Sequence, residues 1–193
     1  GRWHMAEISL TKRVLAQSIK ELMHSTPLSK ITVGDITARC GVNRNTFYYH
    51  FKDKYELVNW IYYTETLEQM NSFSDFHHWE EGLRNLCIYM QKNKTFYINA
   101  LSTMGQNSFS EYLVDFYYNL LITCIEELTQ ERQVDDRDVR FVAKFYTYAF
   151  VGIIEEWAKR GMEEDPARWI SRVKELVDGS LARELLGDLA ENN

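Results

Sequence analysis

Apolar side chains recur at three- and four-residue spacing along most of this chain, with no sustained alternating runs. That period belongs to helices, so the pattern predicts an all-α protein of about nine helices. Leu15, Ile19, Leu22 and Met23 make the stripe of a first helix over 9–24, and a connector containing Pro27 follows over 26–31. Two short helices come next, one starting at Val33 and ending before Gly41, the other starting after Asn43. A long helix from Asp53 carries Leu57, Ile61 and Leu67 and links the two parts of the chain, with a loop over 71–78 beyond it. Further helices are predicted over 79–93, 95–103, 108–131, 136–160 and 165–186, with Gly105 and Gly161 at breaks.

The segment TVGDITARCGVNRNTFYYHFKDKYEL, residues 32–57, is the most informative. Thr32 followed three residues later by Asp35 is a capping box, in which each side chain satisfies a backbone amide of the other. Gly41 can take the positive φ that ends the first helix in a tight turn, and Asn43 caps the second. Within that second helix Phe47 and Phe51 share one face. Arg44, Asn45, Thr46, Tyr48, Tyr49 and His50 are left mostly on the others, so the exposed surface is rich in donors and planar rings. Two capped helices across a glycine turn form a helix-turn-helix, whose second helix presents its N-terminal residues to base edges in the major groove. Asp53 caps the next helix and puts Lys54 in its first turn, where the helix dipole disfavours a cation by about 0.3 to 1 kcal/mol. A phosphate at that position reverses the sign.

GVNRNTFYYHFKDKYEL closely resembles the DNA-binding signature of the tetracycline-repressor (TetR) family of bacterial regulators, and the match runs from about Leu10 to Leu57. The resemblance implies that Arg44, Asn45, Thr46, Tyr48, Tyr49 and His50 form the recognition surface. It also implies that Thr32, the Val33 amide and Lys54 clamp phosphates. Two positions depart from the family pattern. Asn45 stands where glycine is common and adds a base-reading amide, while Gly34 stands where some members carry a base-contacting side chain. In the remainder of the chain, KNKTFYINALSTMGQNSFSEYL and YTYAFVGIIEEWAKRGME are similar to the branch that includes regulators of dihydroxyacetone-kinase operons. The family implies a homodimer in which two helices of each subunit form a four-helix interface.

Charge sharpens the division of the chain. The net charge is −6, an unexpected sign for a DNA binder. Residues 6–54, however, carry eight Lys/Arg against four Asp/Glu, whereas residues 55–193 carry thirteen against twenty-four. That asymmetry orients a DNA-attracting field on the smaller part. The expected organisation is a remnant of cloning plus a start methionine over 1–5, a DNA-binding domain of three helices over 6–54, and a regulatory and dimerisation domain over 55–193. With no run of 18 apolar residues and no secretory leader, the expected location is cytoplasmic, away from membranes. Cys40, Cys87 and Cys124 are widely spaced and odd in number, as fits reduced buried thiols.

Two surfaces of the larger part are candidates for regulation. Tyr63, Tyr97, Met104, Phe116 and Tyr148 could line an effector pocket with hydroxyl handles, although each taken singly is more often plain core. Tyr146, Phe150, Ile153 and Trp157 on the penultimate helix and Val173, Leu176 and Val177 on the last could form the dimer interface, the alternative being that both stripes line the core. Catalysis has little support. His77 and His78 are adjacent and point apart on a helix, and no metal-ligand spacing, phosphate loop, nucleophile elbow or paired-carboxylate motif accompanies them. No cofactor is expected. The reading is therefore a dimeric regulator, repressor more than activator, which binds a near-palindromic double-stranded operator and answers to a small molecule or a partner protein. A protein-interaction module that keeps the helix-turn-helix is the alternative.

Overall fold

The computed structural model describes residues 2–71, 78–130, 133–177 and 179. Among them the regular structure is entirely helical, as predicted: α1 (Arg2–Met23), a 3-10 turn (Leu28–Lys30), α2 (Val33–Cys40), α3 (Arg44–His50), α4 (Lys54–Asn71), α5 (Trp79–Lys92), α6 (Lys94–Ser102), α7 (Phe109–Thr129), α8 (Asp136–Lys159) and α9 (Pro166–Val177). Local chemistry accounts for several of the boundaries. Ser108 Oγ accepts from Glu111 N at 3.3 Å to start α7, and Asp135 Oδ1 accepts from Arg137 N at 2.8 Å to start α8. At the end of α8, Gly161 takes φ 78° and the chain turns sharply.

The first helix begins earlier than the expected residue 9. The last is described only to Val177, and the expected continuation to 186 lies outside the described residues, as do the loop over 72–77 and His77. No helix among the described residues is long and apolar enough to cross a membrane.

Helix α1 packs against α2, α3, α4 and α6, so it belongs to both ends of the molecule. Helix α4 likewise meets α1, α5 and α7. The buried residues form one continuous core from Leu15 to Val173, and a second, smaller cluster of Ile125, Val139, Val142 and Ala143 joins α7 to α8. At the centre of the main core Tyr62 and Tyr97 are fully buried. Their rings meet edge to face at 6.2 Å, and the Tyr62 hydroxyl shares a 2.7 Å hydrogen bond with that of Tyr117. Rings therefore fill the interior of the larger helical body, and this governs where a ligand could go.

Candidate nucleic-acid interface

The helix-turn-helix follows from its caps. Thr32 Oγ1 accepts from Asp35 N at 3.0 Å while Asp35 Oδ2 accepts from Thr32 N at 2.8 Å, the full capping box. Thr32 N holds the Asp35 carboxyl below its ordinary pKa, with the Thr32 side chain the next contributor and Arg44 and Lys54 adding to it. Ile36 is buried, and Ser18 Oγ of α1 donates to its carbonyl at 2.7 Å, which fixes α2 on α1. Gly41 sits at φ 68° and ψ 21° and closes the helix. Asn43 Oδ1 then accepts from Asn45 N at 2.8 Å to start α3.

Phe47 and Phe51 anchor α3 in the core, as their spacing predicts, and Phe51 meets Trp60 of α4 at 5.8 Å. Turned away from them, Arg44, Asn45, Tyr48 and Tyr49 are exposed, while Thr46 and His50 are half-buried. Tyr49 and His50 pack edge to face at 5.0 Å. Burial, and then the charge of Lys12, push the His50 pKa down, so its ring offers a neutral donor and acceptor. Thr32 is exposed and Val33 half-buried at the start of α2. Arg44 reaches across from α3, and its guanidinium lies over Gly34. The N-termini of α2 and α3 thus present one polar surface.

Lys54 is placed differently from the expectation. Its ammonium donates to the carbonyls of Leu28 (2.7 Å), Ser29 (3.2 Å) and Ile31 (2.6 Å), which occupies all three of its protons. It is neither a solvated lysine nor, in this arrangement, an open phosphate clamp. Burial lowers its pKa, and Asp35 and Asp53 partly oppose that. Three other cations of the basic part are also engaged, one of them Lys20, which pairs with Glu65 of α4. Lys12 stands over the rings of Phe51 and Trp60 at 5.5 and 5.6 Å, and Arg39 pairs with Glu21 at 2.7 Å.

The five pocket candidates differ in their surroundings. Tyr97 is central core, because Tyr62, Phe96 and Phe109 fill the space around its ring. Tyr63 is exposed beside the half-buried Phe116, their rings 6.4 Å apart. Met104 is 92% exposed in the turn before α7, where Gly105 and Asn107 take positive φ and lift the chain off the core. Tyr148 borders an open groove between α7 and α8, about 540 Å³, lined also by Val114, Val151 and the carboxylates of Glu111, Asp115 and Glu155.

The interface candidates divide as well. Phe150, Trp157 and Val173 are core, and Trp157 is further tied by Nε1 donating to Glu164 O at 2.9 Å. Tyr146, Ile153 and Val177 are half-buried against that core, and only Leu176 is exposed. Another stripe of α8 faces outward instead: Phe141, Phe145 and Tyr148 are 62%, 58% and 56% exposed, and the first two rings stack at 6.4 Å. Helical spacing is obeyed by both stripes of α8, so period alone does not separate them. Helix α8 is apolar on more than one side.

Comparison with known proteins agrees with this architecture. Residues 17–61 match the family model for bacterial regulatory proteins of the tetR family, and residues 77–179 match a transcriptional regulator C-terminal region. The chain is 29% identical over 162 residues to the HTH-type dhaKLM operon transcriptional activator DhaS of Lactococcus lactis subsp. lactis (strain IL1403), covering 82% of this chain and 84% of that one. It also superposes on a solved structure of a dihydroxyacetone kinase operon activator DhaS with a TM-score of 0.62 at 25% identity, covering 91% of this chain and 96% of the other. Both relatives are named as operon activators. With its helix-turn-helix and its larger helical region both matched, the chain belongs to the TetR family of transcriptional regulators.

Proposed function

We propose that this regulator binds a near-palindromic operator as a homodimer, with residues 6–54 as the DNA-binding domain and 55–193 as the regulatory and dimerising one. The observation that carries the reading is α3: a helix anchored by Phe47 and Phe51 turns Arg44, Asn45, Tyr48 and Tyr49 outward, with Thr46 and His50 at the edge of that surface. Arg44 and Asn45 suit bidentate contacts to guanine and adenine edges. Tyr48 and Tyr49 suit thymine methyls and backbone. Thr32 and the Val33 amide, at the positive end of the α2 dipole, suit a phosphate.

A single three-helix unit makes few phosphate contacts, and a two-fold pair doubles them. The outward aromatic stripe of α8, Phe141, Phe145 and Tyr148, with Leu176 of α9 also exposed, supports the subunit interface. Sequence alone favours repression. Both relatives are named activators, however, and dihydroxyacetone kinase operons are their named targets, so activation of a related operon is the direction proposed here. DNA affinity then responds to a small molecule or a partner protein at the larger domain.

Mobility-shift titrations with duplexes from the chain's own chromosomal neighbourhood test the DNA reading, and a promoter fusion tests the sign. A retarded complex with two chains per duplex supports the reading. Equal binding to unrelated DNA opposes it.

A further inference from the structure

We propose that Gly34 is a specificity-determining position, acting through the room it leaves for Arg44. The proposal rests on the DNA-reading role of α3. Gly34 is the second residue of α2, and none of the left-handed backbone positions falls there. A glycine inside a helix is costly relative to alanine, so backbone geometry gives no reason for it.

Space does. A Cβ at Gly34 would overlap Arg44 Nη2 and stand 3.2 Å from Cζ and 3.4 Å from Nε, so the whole guanidinium lies across this one backbone position. Gly41 is the contrast, with φ at 68° and nothing within 4 Å of an added Cβ. One glycine serves a turn and the other serves a neighbour.

The consequence is preorganisation. Arg44 is the first residue of α3, forms no ion pair among the described residues, and has the neighbouring Asp35 carboxylate already bonded to Thr32. Resting on the α2 backbone restricts the arginine's rotamers before DNA arrives, and a planar fork held in place loses less entropy on pairing with a base edge. An added methyl displaces only the far end of a flexible side chain. The fold survives, and the fork moves.

The test is a double-mutant cycle read as base preference: the parent, Gly34→Ala, Arg44→Ala and the double variant are each put through selection from a random duplex pool. Gly34→Ala is expected to melt at or above the parent's temperature. It should lower discrimination at one base pair per half-site by about tenfold, and do nothing further in the Arg44→Ala background. The Arg44 Nε–H resonance of the DNA-free protein should shift on Gly34→Ala. A selective parent with an unchanged profile for Gly34→Ala, or an equal loss in both backgrounds, overturns the proposal alone. A folded parent with no base preference instead overturns the DNA reading, and this proposal falls with it.

Discussion

Asn99 of α6 and Lys54 of α4 hydrogen-bond to the same short stretch of backbone, residues 23–31, which leads directly into the capping residue Thr32. Asn99 Oδ1 accepts from Leu28 N at 2.8 Å, and its Nδ2 donates to the carbonyls of Met23 (2.9 Å) and Thr26 (2.8 Å). Lys54 takes the carbonyls of Leu28, Ser29 and Ile31. Leu28 itself is fully buried. A side chain of the larger helical body therefore helps to set where α2 begins.

Removing that grip should be costly. Asn99→Ala leaves one backbone N–H and two carbonyls without their partner, and a loss of about 1 to 3 kcal/mol is expected in urea unfolding. Asn99→Asp keeps the acceptor for Leu28 N but turns a carboxylate toward two carbonyl oxygens, so it should be at least as destabilising. Wild-type stability in Asn99→Asp would remove Asn99 from this role.

Lys54 has two possible duties that salt separates. If its ammonium stays on the three carbonyls when DNA is bound, Lys54→Met lowers stability by about 1 to 3 kcal/mol and leaves the salt slope of operator binding unchanged. That is the expected outcome. A slope smaller by about one unit would show that the ammonium leaves the turn for a phosphate.

The capping box at Thr32 predicts a pH signature. The Asp35 pKa is depressed in the folded protein, so its contribution is fully present above the unfolded value near 4 and is lost as pH falls through the lower folded value. Thr32→Ala keeps Thr32 N, the larger contributor to the Asp35 shift, but removes the hydroxyl that adds to it and accepts from Asp35 N, and should cost about 1 kcal/mol at neutral pH. The stability gap between parent and variant should narrow in unfolding curves taken at about pH 3. A gap that stays constant on acidification would mean that the two side chains are not coupled.

Charge on the outward stripe of α8 tests the subunit interface. Phe141→Glu combined with Phe145→Glu should yield a folded monomer by sedimentation, because both side chains are exposed within one chain. Phe150→Glu should instead unfold the chain, since that side chain is buried core. A dimer that survives the double substitution places the contact elsewhere.

The parts of this fold legible in the sequence are those written in short-range chemistry. Thr32 with Asp35, Gly41, Asn43 and the Phe47–Phe51 spacing are local signals, and the structure places them in the caps, turn and buried face that they imply. Helix limits follow from the same kind of signal, within a residue or two for α5 to α8.

What escapes the sequence depends on partners far along the chain. The carbonyls that hold Lys54 lie 23 to 26 residues away, and the segment held by Asn99 lies more than 70 residues away. Neither pairing leaves a periodic trace. Tyr97 and Tyr148 look alike as aromatic positions on helices, yet one is central core and the other borders solvent. For α8, two apolar stripes obey one period, and only packing shows that Phe150 faces inward while Phe141 and Phe145 face out.

Sequence-specific recognition by a two-fold pair of α3 helices is tested most directly by selecting bound duplexes from a random pool with the full chain, then titrating the winner with salt. The expected result is an enriched near-palindrome with half-site centres about 34 to 36 Å apart and an affinity that falls steeply with salt. Failure of the folded protein to enrich any sequence would contradict it.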